Sequence, residues 1–160
     1  MSQAGVVDGL QFARSALEQR GALGMEQLPR LAQMQCTTGG LDYVLRGGIS
    51  GHGEPCLRVS VAGGVQVVCQ RCLGMLSVPI AVDTELQLTG SLREIAEADD
   101  DIDRVLASKA MGVAELVEDE VLLALPAVPR HEACAPVAVT AQGSSSPFGK
   151  LAALRRVEKR

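Results

Sequence analysis

Leu57, Val59 and Val61 alternate with Arg58 and Ser60, the period of a half-buried strand. Segments of this character run from residue 41 to 89 and are punctuated by glycine: LDYVLRGGI, CLRVSVA, VQVVC, LSVPIAV and TELQL. They predict a meander of four or five strands. VAGGVQVV reads as a hairpin, with Gly63 and Gly64 as its two-residue turn. The flanks have a different period. Residues 8–34 read as helical, with Asp8 as N-cap and Phe12, Ala13, Ala16 and Leu17 on one face. Gly21 and Gly24 break that helix. Met25, Leu28, Leu31 and Ala32 continue as a second short helix that has Pro29 in its first turn.

Beyond the strands, residues 93–110 are acidic, and EADDDID predicts a solvated loop. In GVAELVEDEVLLALPAVPRH, a helical stripe is made by Val113, Leu116, Val117, Val121 and Leu125, widened by Leu122 and Leu123. Pro126 ends that helix. Glu115, Glu118, Asp119 and Glu120 lie mainly off the stripe. They predict a solvated face, with a partner-binding acidic surface as the alternative. Residues 135–146 are small and polar and predict a mobile linker. SPFGKLAALRR predicts a short amphipathic helix carrying Phe148, Leu151 and Leu154. The fold class expected is therefore α+β. An antiparallel sheet of about four to six strands carries N-terminal helices and one acidic amphipathic helix packed on it. A single domain spans 1–134, and 135–160 forms a linker and a basic tail.

Composition narrows the functional classes. The chain has 160 residues, enough to bury a core without disulfide staples. One Tyr, two Phe and no Trp leave little for the aromatic stacking platforms of single-strand RNA readers. The net charge of −4 is unevenly spread. Between Glu94 and Glu120, ten acidic residues stand against Arg104 and Lys109. Between Pro147 and Arg160, five basic residues stand against Glu158, so a contact with nucleic acid would run through the tail. The N-terminus lacks the pattern of a secretory signal, and no apolar stretch approaches membrane-span length. The cytoplasm is the compartment these features predict.

VVCQRCLGML sets Cys69 and Cys72 three positions apart, and PRHEAC sets His131 and Cys134 at the same spacing. Cys69, Cys72, His131 and Cys134 together make a Cys3His zinc set that would tie the strand region to the segment after the acidic helix. The alternative is that Cys69 ends a buried strand as a small hydrophobe and the other three are turn and loop residues. A thioredoxin-type redox pair lacks its βαβ context. Cys36 and Cys56 read as buried free thiols, and His52 as a loop residue. GxSxG, P-loop and GxGxxG motifs are absent, so the sequence does not read as an enzyme.

VVCQRCLGML, ELVEDEVLLALPAVPRHEAC and SPFGKLAALRR, in this order and near these separations, resemble the YceD family of large ribosomal RNA subunit accumulation proteins. The resemblance covers roughly residues 36–157. It rests on Cys69, Arg71 and Cys72; on Val117 to Pro126 with Pro129 and His131; and on Pro147, Phe148, Leu151, Ala152 and Leu154. The chain departs from the family pattern at Ser146, Gly149 and Arg155, where Asn, Ala and Lys are usual. Family members without the cysteines imply that a metal is not central to the shared function. The resemblance implies a non-enzymatic factor for synthesis, processing or stability of large-subunit ribosomal RNA. It would act in ribosome assembly by binding a precursor or a ribosomal protein. On that reading Glu115, Glu118, Asp119 and Glu120 would face a basic ribosomal protein. Phe148, Lys150, Leu151, Leu154, Arg155 and Arg156 would dock as a short helix or touch RNA phosphates. The alternatives are a zinc-dependent RNA-processing enzyme subunit and a zinc-stabilised protein-interaction domain.

Overall fold

The computed structural model describes residues 5–97 and 103–136. The first elements are Val6–Val7 (β1), Gly9–Arg14 (α1), Glu18–Leu23 (β2), a 3-10 turn at Met25–Gln27 and Pro29–Gln33 (α2). Then come Leu41–Ile49 (β3), Pro55–Val68 (β4), Met75–Thr89 (β5) and Leu92–Ala96 (α3). Arg104–Leu106 (β6), Met111–Gly112 (β7) and Val113–Ala124 (α4) complete the order. The main sheet runs β2-β3-β4-β5-β6, and β1 pairs with β7 apart from it. All pairings are antiparallel except β5 with β6, which is parallel. The fold is α+β, built on a mostly antiparallel five-stranded sheet.

Two sequence expectations are corrected. The first concerns residues 8–34, where two short helices form as expected but a strand, β2, lies between them. Asp8 does cap α1, accepting from the Gln11 N–H at 3.0 Å, but the helix ends at Arg14. Ala16 then takes φ +47°, which turns the chain into β2. Gly21 is needed in β2 because the Tyr43 ring lies over it: a Cβ there would sit 2.9 Å from the ring. The second concerns the hairpin at Gly63 and Gly64. β4 runs straight through both, pairing Gly63 with Ile80 and Gly64 with Pro79. Gly63 adopts φ +154°, a conformation that L side chains rarely take, and a Cβ would meet the Leu41 side chain at 2.8 Å. Pro79 is accommodated inside β5 because β6 reaches only Gln87–Thr89, leaving that edge without a described strand partner. Of EADDDID, residues 98–102 lie outside the described residues.

Strand alternation gives the sheet two unlike faces. Leu41, Tyr43, Leu45, Leu57, Val59, Val61, Val65 and Val67 point inward and are buried. They share a core with Phe12 and Ala13 of α1, Leu31 of α2, and Val113, Leu116, Val117 and Val121 of α4. Gly47 lies where α1 crosses β3, and a Cβ there would fall 2.2 Å from the Phe12 carbonyl oxygen. Leu123 is an exception to the expected stripe, being exposed to solvent. Cys36 and Cys56 are buried free thiols, and burial pushes both thiol pKa values up. Among the described residues no helix is long and apolar enough to cross a membrane.

On the opposite face, Arg58 grips Asp83 through two hydrogen bonds of 2.8 and 2.6 Å, and the Ser60 hydroxyl adds a third at 3.0 Å. Arg58 first, then Ser60, holds the Asp83 carboxyl down to about 2. The bound carboxylate therefore favours the folded chain at pH above 3.8, and that contribution disappears as pH falls through about 2. Arg58→Met should return the Asp83 midpoint to the ordinary carboxylate range in a carbon-detected NMR titration. An unchanged midpoint would refute the assignment of the shift to Arg58.

Candidate metal centre

β4 ends at Val68 and β5 begins at Met75. The turn between them is closed from both sides. The Cys69 N–H donates to the Gly74 carbonyl at 2.9 Å, and the Leu73 N–H donates to the Cys69 carbonyl at 3.0 Å. Leu73 takes φ +58° to complete it. This geometry places Cys69 and Cys72 on one side of the turn. The second pair arrives on the arm that follows α4. Leu125 leaves the helix with extended backbone, and the arm returns to the turn. There the Gln70 N–H donates to the Pro129 carbonyl at 2.8 Å, and Arg71 Nη1 donates to the Cys134 carbonyl at 3.3 Å.

The result is a cluster. The ligand atoms of Cys69, Cys72, His131 and Cys134 all lie within 4.8 Å of one another. Cys69 Sγ is 3.8 Å from Cys134 Sγ, and Cys72 Sγ is 3.4 Å from His131 Nδ1. A tetrahedron with zinc–sulfur bonds of about 2.3 Å has sulfur–sulfur edges of about 3.8 Å, and its sulfur–nitrogen edge is about 3.5 Å. These two pairs already stand at these edge lengths.

The imidazole tautomer is set by its other nitrogen. His131 Nε2 lies 3.0 Å from the Met75 carbonyl oxygen. A carbonyl can only accept, so Nε2 carries the proton and Nδ1 offers a lone pair to the cluster. This is the arrangement that orients metal-bound histidines. Cys69 is buried, whereas Cys72, His131 and Cys134 are half-buried. The Cys69 thiol is pulled down to about 5, first by the Cys72 backbone N–H and then by those of Arg71 and His131, against burial. The latter two approach Cys69 Sγ at 3.5 Å each. Burial pushes the Cys134 thiol up, and hydrogen bonding to Cys69 adds to it. A bound cation would remove that opposition by neutralising the thiolates together. The donor set, its spacing and its hydrogen bonds all fit a metal ion held by four protein ligands.

The acidic residues of α4 are arranged differently from the expected solvated face. Glu115 and Asp119 are exposed, but Glu118 and Glu120 are buried, at 2% and 7% exposure. Glu118 faces α2. Its Oε1 accepts from the N–H groups of Arg30 and Leu31 at 2.7 and 3.0 Å, and its Oε2 from Arg30 Nε at 2.9 Å. Arg30 also pairs with Asp119 and donates to the Glu115 carbonyl. The carboxylate thus caps one helix from another and closes an ion pair, so Glu118 holds the N-terminal layer rather than presenting charge. Arg30 and the Met75 carbonyl were absent from the sequence reading; only Pro29, a first-turn residue, marked the capped end. Phe148, Lys150, Leu151, Leu154, Arg155 and Arg156 lie outside the described residues.

No curated protein and no solved structure matches the chain. A family model matches residues 57–154, a span that holds β4 from Leu57 onward, β5, α4 and all four residues of the cluster. That span is more than half of the sequence, and by it the chain belongs to the family described as large ribosomal RNA subunit accumulation protein YceD.

Proposed function

We propose that this chain is a non-enzymatic assembly factor whose zinc-stapled domain binds a large-subunit ribosomal RNA precursor or a ribosomal protein on it. The observation that supports this most is the closed donor set. Three thiolates and one imidazole fill a tetrahedral zinc, leaving no position for a water or substrate. A catalytic zinc keeps such a position open. Zinc here ties the β4–β5 turn to the arm after α4. It supplies folding energy rather than chemistry, in keeping with a family named for accumulation of an RNA.

Binding then falls to the surface. Lys150, Arg155 and Arg156 are the groups we assign to RNA phosphates. Glu115 is exposed and is the acid of the helix that we assign to a basic ribosomal protein, whereas Asp119 is already paired with Arg30. This reading places the chain in the cytoplasm with its precursor. A strain lacking the protein should regain large-subunit ribosomal RNA when the wild-type chain is supplied, and the chain should co-sediment with precursor particles. A Lys150→Glu/Arg155→Glu/Arg156→Glu variant should lose co-sedimentation. If the phosphates are the target, the variant should also flatten the log–log salt dependence of any residual binding by about two to three units. Full recovery of the RNA by a variant that no longer binds particles would overturn the proposal.

A further inference from the structure

β5 has a long edge that no described strand covers. Its register with β4 runs unbroken from Gln87 opposite Cys56 to Met75 opposite Val68, so the backbone groups of its odd-numbered residues all point the same way. Three contacts show that this way is outward. The Gln87 N–H donates to the Asp103 carbonyl at 2.8 Å, the Thr89 carbonyl accepts from the Ala107 N–H at 2.7 Å, and the Met75 carbonyl faces His131 Nε2 at 3.0 Å. Between Met75 and Gln87, the N–H groups of Ser77, Ala81, Asp83 and Glu85 and the carbonyls of Ser77, Pro79, Ala81 and Asp83 face away from β4. None of them has a backbone partner among the described residues. This open edge is about 27 Å long. Pro79 falls on the outward parity, so its missing N–H costs the β4 ladder nothing.

We propose that this edge, residues 77–85, receives an extended segment of a basic protein as an added strand. The two faces of β5 define the chemistry of that segment. On the inner face, Leu76, Val78 and Val82 pack against the core but stay half-buried. Apolar residues at alternate positions of the added strand would cover them. At the β6 end of the edge, a concavity of about 390 Å³ is lined by Asp83, Glu85, Asp103, Ser50, His52 and Gln87, and by no lysine or arginine among the described residues. Asp83 is engaged by Arg58 and Ser60. The charge left for a ligand is that of Glu85 and Asp103, both exposed and neither in an ion pair among the described residues. Lysine or arginine at the intervening positions of the segment complements them. A second copy fits less well. Antiparallel pairing of β5 with itself around Ala81 would set Glu85 against Ser77 and Asp83 against Pro79, with no cation for the acids and a donor missing from each strand. The proposal deepens the ribosomal-protein side of the reading above and rests on it only for the source of the segment.

Amide NMR of the purified full chain tests it, with an end-blocked peptide of alternating lysine and valine as the probe. The amides of Ser77, Ala81, Asp83 and Glu85 should shift and gain protection from exchange. Those of Val78, Ile80, Val82 and Thr84, which point to β4, should keep the protection they already have. Ala81→Pro removes one edge donor without touching the β4 ladder and should weaken the probe about tenfold. Glu85→Lys should move the preference toward a peptide of alternating glutamate and valine. If Ala81→Pro fails to fold, the period-two pattern in the wild-type chain still decides. Absence of that pattern, or equal binding of the glutamate peptide by the wild type, would overturn the proposal. So would edge amides already protected without the probe: in a monomer the chain would be covering its own edge, and with a doubled mass in sedimentation a second copy would be. Co-sedimentation with precursor particles is read separately, so this edge can fail while the assembly role stands.

Discussion

Replacing Cys72 with serine should abolish zinc binding and destabilise the folded chain by about 4 kcal/mol, read as a lower urea midpoint. The magnitude comes from chain entropy. Cys69 and Cys134 are 65 positions apart, and tying a loop of that length removes about 4 kcal/mol of unfolded-state freedom in the cross-link model. Total stabilities run to only about 5–15 kcal/mol, so a metal held here would supply much of the native margin. His131→Ala should behave alike, and a chelator should bring the wild-type chain to the variant's midpoint. The direction with pH is also fixed. The Cys69 thiol lies at about 5 in the fold against an ordinary 9.0. Its thiolate therefore favours the folded state fully above pH 9.0, and this contribution fades as pH falls and is gone below about 5. Equal urea midpoints for wild type and both variants would show that the cluster holds no structural metal.

Glu118→Ala should cost about 3 kcal/mol, a large effect for a residue on a nominally acidic face. The substitution strands the Arg30 and Leu31 N–H groups at the start of α2, and buried unpaired donors cost about 1–3 kcal/mol each. It also removes the partner of Arg30, although the half-exposed guanidinium recovers part of that from water and from Asp119. Glu118→Gln should cost less, about 1–2 kcal/mol, because its amide oxygen can still cap α2. Exposed Glu115→Ala is the control and should fall within about 0.5 kcal/mol of wild type. Thermal or urea unfolding of the three variants checks the order. Equal effects for Glu118→Ala and Glu115→Ala would mean that the cap and ion pair contribute nothing.

The residues that sequence reading placed well are those whose pattern is local. The Cys69/Cys72 and His131/Cys134 spacings sit within two short words, and the structure brings all four side chains to one point. β4 announces itself through Leu57, Val59 and Val61, and α4 through Leu116, Val117 and Val121. What stayed hidden depends on contacts made from afar. β2 reads as the continuation of α1 because the helical spacing of Phe12, Ala13, Ala16 and Leu17 runs up to its start, and only the Tyr43 ring, on a neighbouring strand, explains why Gly21 suits a strand. Gly63 and Gly64 have the chemistry of a turn, but Leu41 packing against Gly63 makes them the middle of a long strand. Glu118 has the same charge as its neighbours. Its burial is decided by Arg30, 88 positions earlier, which no window along the chain could reveal.

Zinc-edge X-ray absorption on tag-free full-length protein tests the central claim most directly. A closed Cys3His staple predicts one zinc per chain, with three sulfurs at about 2.3 Å and one nitrogen at about 2.0 Å. A chain without zinc, or a shell of oxygen and nitrogen alone, would contradict it. The β4–β5 turn and the arm after α4 would then be held together only by their hydrogen bonds.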